Sequence, residues 1–208
     1  MGDDKFDDNK LEETKLDENK LEKGKPKIFQ KFTVKDVVFL AIISAVTLVT
    51  SAVMAIVSHI YIFGLAQLVT ALQFSLFPSV ALSKVRKPGS LFFIALFTGL
   101  FELFMAPVMF FSSVLTGLIL EALTIAIFRG YESNKAVFFA SALFIPMTLP
   151  FNVLYYRFFS KEMFDLFFAG GFQILALVFV LSSIAVSALG SFLGIKISKE
   201  LTKAGVLK

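Results

Sequence analysis

The chain has 208 residues, 57% of them hydrophobic, with a mean hydropathy of +0.80 and a formal net charge of +4. This composition excludes an ordinary soluble domain and reads as one integral membrane domain with a polar leader. Cysteine is absent, which excludes a disulfide framework, a thiolate metal site and thiol redox chemistry.

Residues 1–30 form the leader and 31–208 the membrane domain. The leader repeats Lys10-Leu11-Glu12, Lys15-Leu16-Asp17 and Lys20-Leu21-Glu22. A period of five matches neither 3.6 nor 2, so its leucines share no helix or strand face, and the segment reads as a disordered cytoplasmic tail. Residues 1–27 hold no apolar stretch of the kind a cleavable signal needs, so the first helix is the expected insertion signal.

Six transmembrane helices are expected at 35–57, 61–83, 90–106, 108–129, 135–156 and 169–195, making the fold an all-α, polytopic six-helix bundle. A helix needs ~20 apolar residues to cross ~30 Å of hydrocarbon. All Lys and Arg except Arg157 and Lys161 precede the first helix, open it, or fall in alternate loops and the C-terminal segment. By the positive-inside rule both termini are expected in the cytoplasm of a multi-pass cell-membrane protein. The positive charge is accounted for by topology and carries no nucleic-acid reading.

Local signals punctuate these helices. Thr33-Val34-Lys35-Asp36 has capping-box spacing at the start of the first. Pro78 is expected to kink the second. Pro146 and Pro150 are expected to make the outer half of the fifth irregular. Residues 155–168 mix aromatics with Lys161, Glu162 and Asp165, and read as an external loop or interfacial helix lidding the outer face. Ala41/Ala45 on the first helix and Gly190/Gly194 on the last have the four-residue spacing of close helix packing.

Charge at membrane depth is costly, on the order of 2.5–3.5 kcal/mol on insertion scales, so Glu102 and Glu121 each need a reason. Glu102 is expected about four residues below an external turn, at the height of Gln67, Ser112, Ser113, Asn152, Tyr155 and Gln173. Together these outline an outward-opening polar pocket for a small polar, aromatic or cationic ligand, with Glu102, Gln67, Asn152, Tyr155 and Gln173 as its binding residues. The alternative is that Glu102 only ties two helices together. Glu121, deeper and nearer the cytoplasm, reads as structural, His59 as solvated, and Gln73 as either.

A phosphate-binding glycine loop, a Gly-x-Ser-x-Gly nucleophile motif, paired histidines and clustered carboxylates are all missing. No catalytic residue, metal ligand or cofactor is therefore assigned. No inverted repeat marks a self-contained transporter. These absences fit a binding subunit that borrows energy from a partner better than they fit an enzyme.

Six helices in about 180 residues with Ala41-Ile42-Ile43-Ser44-Ala45 on the first resemble the substrate-binding S components of energy-coupling factor vitamin transporters. The resemblance implies a transmembrane coupling subunit and two ATPase subunits as partners, and makes Ala41 and Ala45 part of the coupling surface. It also implies release by toppling of the bundle. More narrowly, Val85-Arg86-Lys87-Pro88-Gly89, Glu102, Gly117-Leu118-Ile119-Leu120-Glu121-Ala122 and Ala204-Gly205-Val206-Leu207 look like the members specific for thiamine or its hydroxymethylpyrimidine precursor. In that branch Glu102 would contact the pyrimidine or the cationic part of the ligand. The chain departs from the pattern in lacking tryptophan, so Phe or Tyr would supply the stacking face. The readings left beside this one are an S component for another vitamin, an autonomous membrane transporter, and a membrane enzyme.

Overall fold

The computed structural model describes residues 31–53, 60, 62–168 and 173–205, and the expected disordered leader and His59 lie outside them. Seven α-helices and no strand occur among the described residues: α1 (Val34–Thr50), α2 (Leu65–Lys84), α3 (Ser90–Glu102), α4 (Pro107–Phe128), α5 (Asn134–Phe159), α6 (Lys161–Phe168) and α7 (Gln173–Lys203). Packing runs from α1 to α3, α4, α5, α7 and α2 and back to α1, with α2 also lying against α5.

Four of the six expected spans, α2, α4, α5 and residues 174–203 of α7, are long and apolar enough to cross a membrane. The other two are shorter than expected. α1 stops at Thr50 in a 3-10 turn over Ser51–Val53, where Thr47, Thr50 and Ser51 turn their hydroxyls back onto carbonyls three and four residues earlier. α3 has 13 residues and ends at Glu102. The chain then turns through Leu103, Phe104 and Met105, because Ala106 must be extended (φ −160°) ahead of Pro107. Glu102 is thus the last residue of its helix, not a residue four positions inside it.

Other boundaries have equally local causes. Thr33 and Asp36 form the expected capping box, with Thr33 N–H donating to Asp36 Oδ2 at 2.8 Å. α2 begins at Leu65, later than expected, because Gly64 stands in the left-handed region at φ 86°. α5 is a single helix through both Pro146 and Pro150, correcting the expected irregularity; neighbouring helices and side chains relieve prolines inside membrane bundles. The segment 155–168 resolves into the end of α5 and the short helix α6. α7 continues beyond 195 through Lys196, Lys199 and Lys203, a polar last turn that the apolar run does not foretell.

The core joins Leu40 of α1, Phe74 and Leu82 of α2, Ile94 of α3, Leu120 of α4 and Phe144 of α5. Apolar side chains also face outward, among them Ile174, Leu177, Leu181 and Phe192 of α7. Such a surface suits lipid and not water.

α2 and α7 make the most extensive contact of the bundle. A Cβ at Gly190 would collide with Ser75 Oγ and Leu72 O, and one at Gly194 with Ser79 Oγ and Leu76 O. The Gly-xxx-Gly pair therefore serves internal packing, letting α7 lie against the α2 backbone. Gly194→Val is expected to destabilise the bundle by about 1–3 kcal/mol through overpacking against a backbone that cannot yield. Thermal unfolding in detergent measures this, and an unchanged midpoint would refute the packing role.

At the end of the bundle where α3 begins, Glu121 of α4 gathers four donors. Gly89 N–H reaches Oε1 at 2.6 Å; Leu91 N–H, Phe92 N–H and the Tyr131 hydroxyl reach Oε2 at 3.0, 3.3 and 2.9 Å. A helix leaves its first N–H groups without intrahelical partners. Glu121 supplies those partners for α3 and holds it to α4, as the structural reading expects. Burial, with the neighbouring Glu121 adding to it, pushes the Tyr131 phenol well above its ordinary range and keeps this donor protonated.

Candidate functional site

At the opposite end, where α3 stops and α4 starts, the helices enclose a cavity of about 180 Å³. Gln67, Thr70 and Phe74 of α2 line one wall. Glu102 of α3 and Ser112 and Ser113 of α4 line a second, and Thr148, Asn152 and Tyr156 of α5 a third. Met163 and Phe167 of α6 close over it. The Phe167 ring lies 5.3 Å from that of Tyr156 and 6.0 Å from that of Phe63, while Arg157 sits 5.5 Å from the Phe164 ring. α6 is therefore an aromatic-tethered cover, as the mixed 155–168 segment leads one to expect.

The polar chemistry of the wall is weighted toward acceptors. Thr70, Ser112 and Thr148 donate their hydroxyl protons to carbonyls of their own helices, at 2.8, 2.8 and 2.7 Å. Ser113 donates to Glu102 Oε2 at 2.5 Å. What these groups have left to offer is lone pairs. Glu102 is 8% exposed and has Ser113 as its one hydrogen-bond partner among the described residues. Asn152 is 7% exposed, and its Oδ1 is buried with no hydrogen-bond partner among them. Buried polar atoms are seldom left unpaired, because each costs about 1–3 kcal/mol. Donors also reach the wall from the amides of Gln67 and Asn152 and the hydroxyl of Tyr156. The unmet demand is for hydrogen-bond donors or positive charge.

The structure brings together Glu102, Gln67 and Asn152 of the five expected binding residues. It does not bring Tyr155, whose ring packs 5.8 Å from that of Phe111 and 5.0 Å from that of Phe159. Tyr156 takes its place because Thr148, Asn152 and Tyr156 recur every four residues on one face of α5, a spacing the sequence already contains. Gln173 opens α7, and its side chain lies outside what is described. Gln73 does not line the cavity; its amide turns back to Val69 O and Thr70 O, each at 3.1 Å.

Ala41 and Ala45 are half-buried on α1. Leu40, Ser44 and Thr47 face the bundle, whereas Val34, Val38, Ile42 and Val49 face out. At about 100° per residue, the two alanines border that outward stripe. No group of three or more His, Cys, Asp or Glu residues able to hold a metal occurs among the described residues.

A family model described as a hypothetical bacterial integral membrane protein (Trep_Strep) matches residues 34–203. No curated protein and no solved structure matches the chain.

Proposed function

From a chain that belongs to this Trep_Strep family of integral membrane proteins, we propose a membrane receptor that binds a small donor-rich or cationic molecule in the cavity beneath α6. In this reading it is the S component of an energy-coupling factor importer, and it delivers its ligand when a transmembrane coupling subunit and two ATPases reorient it. The observation that carries the ligand class is the wall of acceptors around Glu102 and the unpartnered Asn152 Oδ1. Thiamine and hydroxymethylpyrimidine both present an aminopyrimidine whose N–H groups suit such a wall, and Phe74, Tyr156 and Phe167 offer aromatic faces in place of tryptophan. A cavity of about 150 Å³ holds one benzene ring, so 180 Å³ favours the single-ring precursor over the two-ring vitamin.

The proposed topology has six spans, with α1 and α3 completing the four longer helices, and the basic end of the bundle with both termini in the cytoplasm. The outward stripe of α1 bordered by Ala41 and Ala45 is the proposed coupling surface. Native mass spectrometry of the purified protein tests the ligand: a retained mass equal to either pyrimidine compound is expected. A different water-soluble vitamin would keep the receptor and discard this substrate. Proteoliposomes holding the protein alone are expected to bind ligand without accumulating it, and accumulation without partners would overturn the S-component reading in favour of an autonomous transporter.

A further inference from the structure

A second cavity, of about 250 Å³, lies at the basic end, between the C-terminal turns of α2 and α7 and the N-terminus of α5. Arg86, Lys199 and Lys203 line it together with Ser83, Asn134 and Thr202. Arg86 is held rigidly: its guanidinium donates to Ser83 O at 3.0 Å, Glu132 O at 2.6 Å and Asn134 Oδ1 at 3.1 Å. All three acceptors are uncharged, and Arg86 has no carboxylate ion-pair partner among the described residues. Its fork has five N–H donors, so two remain for a ligand. Lys203 pairs with Glu200 at 2.8 Å, but both are exposed and such a pair is worth little. Lys199 makes no hydrogen bond or ion pair among the described residues and stands one turn from Lys203. Ser83 Oγ is buried and unpartnered. The positive N-terminal end of α5 beside Asn134 offsets part of the negative C-terminal ends of α2 and α7, so the basic side chains set the sign of the notch.

The geometry points to a phosphate-binding notch, in which the fixed Arg86 fork and Lys199 hold the phosphate oxygens and Ser83 supplies a hydroxyl. A fixed guanidinium without a counter-charge, an unpaired hydroxyl and a free ammonium around one cavity match the acceptors of a phosphate group. The phosphate has two possible sources, an anionic lipid headgroup or a free phosphate compound. Basic pockets between helix ends at a membrane surface recognise the former.

The test uses the full chain. Native mass spectrometry would compare retention of phosphatidylglycerol and phosphatidylcholine of equal chain length, and phosphorus NMR would titrate inorganic phosphate. Lys199→Ala and Arg86→Gln are expected to weaken binding roughly fivefold each. Lys196→Ala, an exposed lysine of the same helix that does not line the notch, should leave it unchanged. Phosphatidylglycerol preference lost in the Lys199 variant supports the lipid source. Inorganic phosphate binding lost in that variant, without lipid preference, supports the free source. Absence of both, or equal losses from the Lys196 and Lys199 variants, would show only diffuse surface charge and overturn the site. Lys199 is exposed, so its variant folds even if Arg86→Gln does not.

Discussion

Glu102→Gln is expected to weaken ligand binding roughly 2- to 30-fold while leaving the bundle folded. The substitution keeps the shape of the side chain and an oxygen to accept from Ser113 Oγ, so the link between α3 and α4 persists. In the proposed complex it removes the carboxylate charge that a donor-rich or cationic ligand would meet, and it puts an amide donor in place of one acceptor oxygen. Hydrogen bonds to charged groups contribute about 1.5–3 kcal/mol, against about 1 kcal/mol for neutral ones, and 1.4 kcal/mol is tenfold in affinity. Titration of ligand against both proteins in detergent reads the change. Equal affinities, with unfolding midpoints also equal, would leave Glu102 as a packing residue and remove the charge from the proposed recognition.

Glu121→Ala is expected to do the reverse, costing about 4 kcal/mol of stability or more through a residue that lies outside the cavity beneath α6. The carboxylate accepts from three backbone N–H groups and the Tyr131 hydroxyl. Alanine leaves those buried donors without an acceptor, and each orphan costs about 1–3 kcal/mol unless water enters. Tyr131→Phe removes one donor and keeps the cap, so its cost should be nearer 1 kcal/mol. Unfolding midpoints of the three proteins, measured together, check the order. A Glu121→Ala protein as stable as the parent would show that water replaces the cap.

The contrast between the two carboxylates marks what could be read from sequence. Long apolar runs reveal α2, α4, α5 and α7, because a membrane helix must satisfy its own backbone and cover itself in apolar side chains. The ends of α1 and α3 are hidden, because they depend on hydroxyls folding back at Thr47 and Thr50 and on the backbone demanded by Pro107. In the cavity, depth along a helix is legible and rotation about it is less so. Counting residues places Gln67, Glu102 and Asn152 at one height, but one residue's rotation, about 100°, separates Tyr156 from Tyr155. The covering role of Met163 and Phe167 depends on how α6 folds back. Three of the four partners of Glu121 are backbone groups some thirty positions earlier, which no side-chain pattern announces.

The cap that Glu121 places on α3 also constrains how the protein is made. A ribosome delivers α3 well before Glu121 emerges, and its 13 residues, at ~1.5 Å each, extend only ~20 Å, short of the hydrocarbon thickness. Until α4 arrives, the leading amides of α3 lack the acceptor that Glu121 supplies. The cap is therefore complete only once α4 has packed against α3 across the Ala106-Pro107 turn.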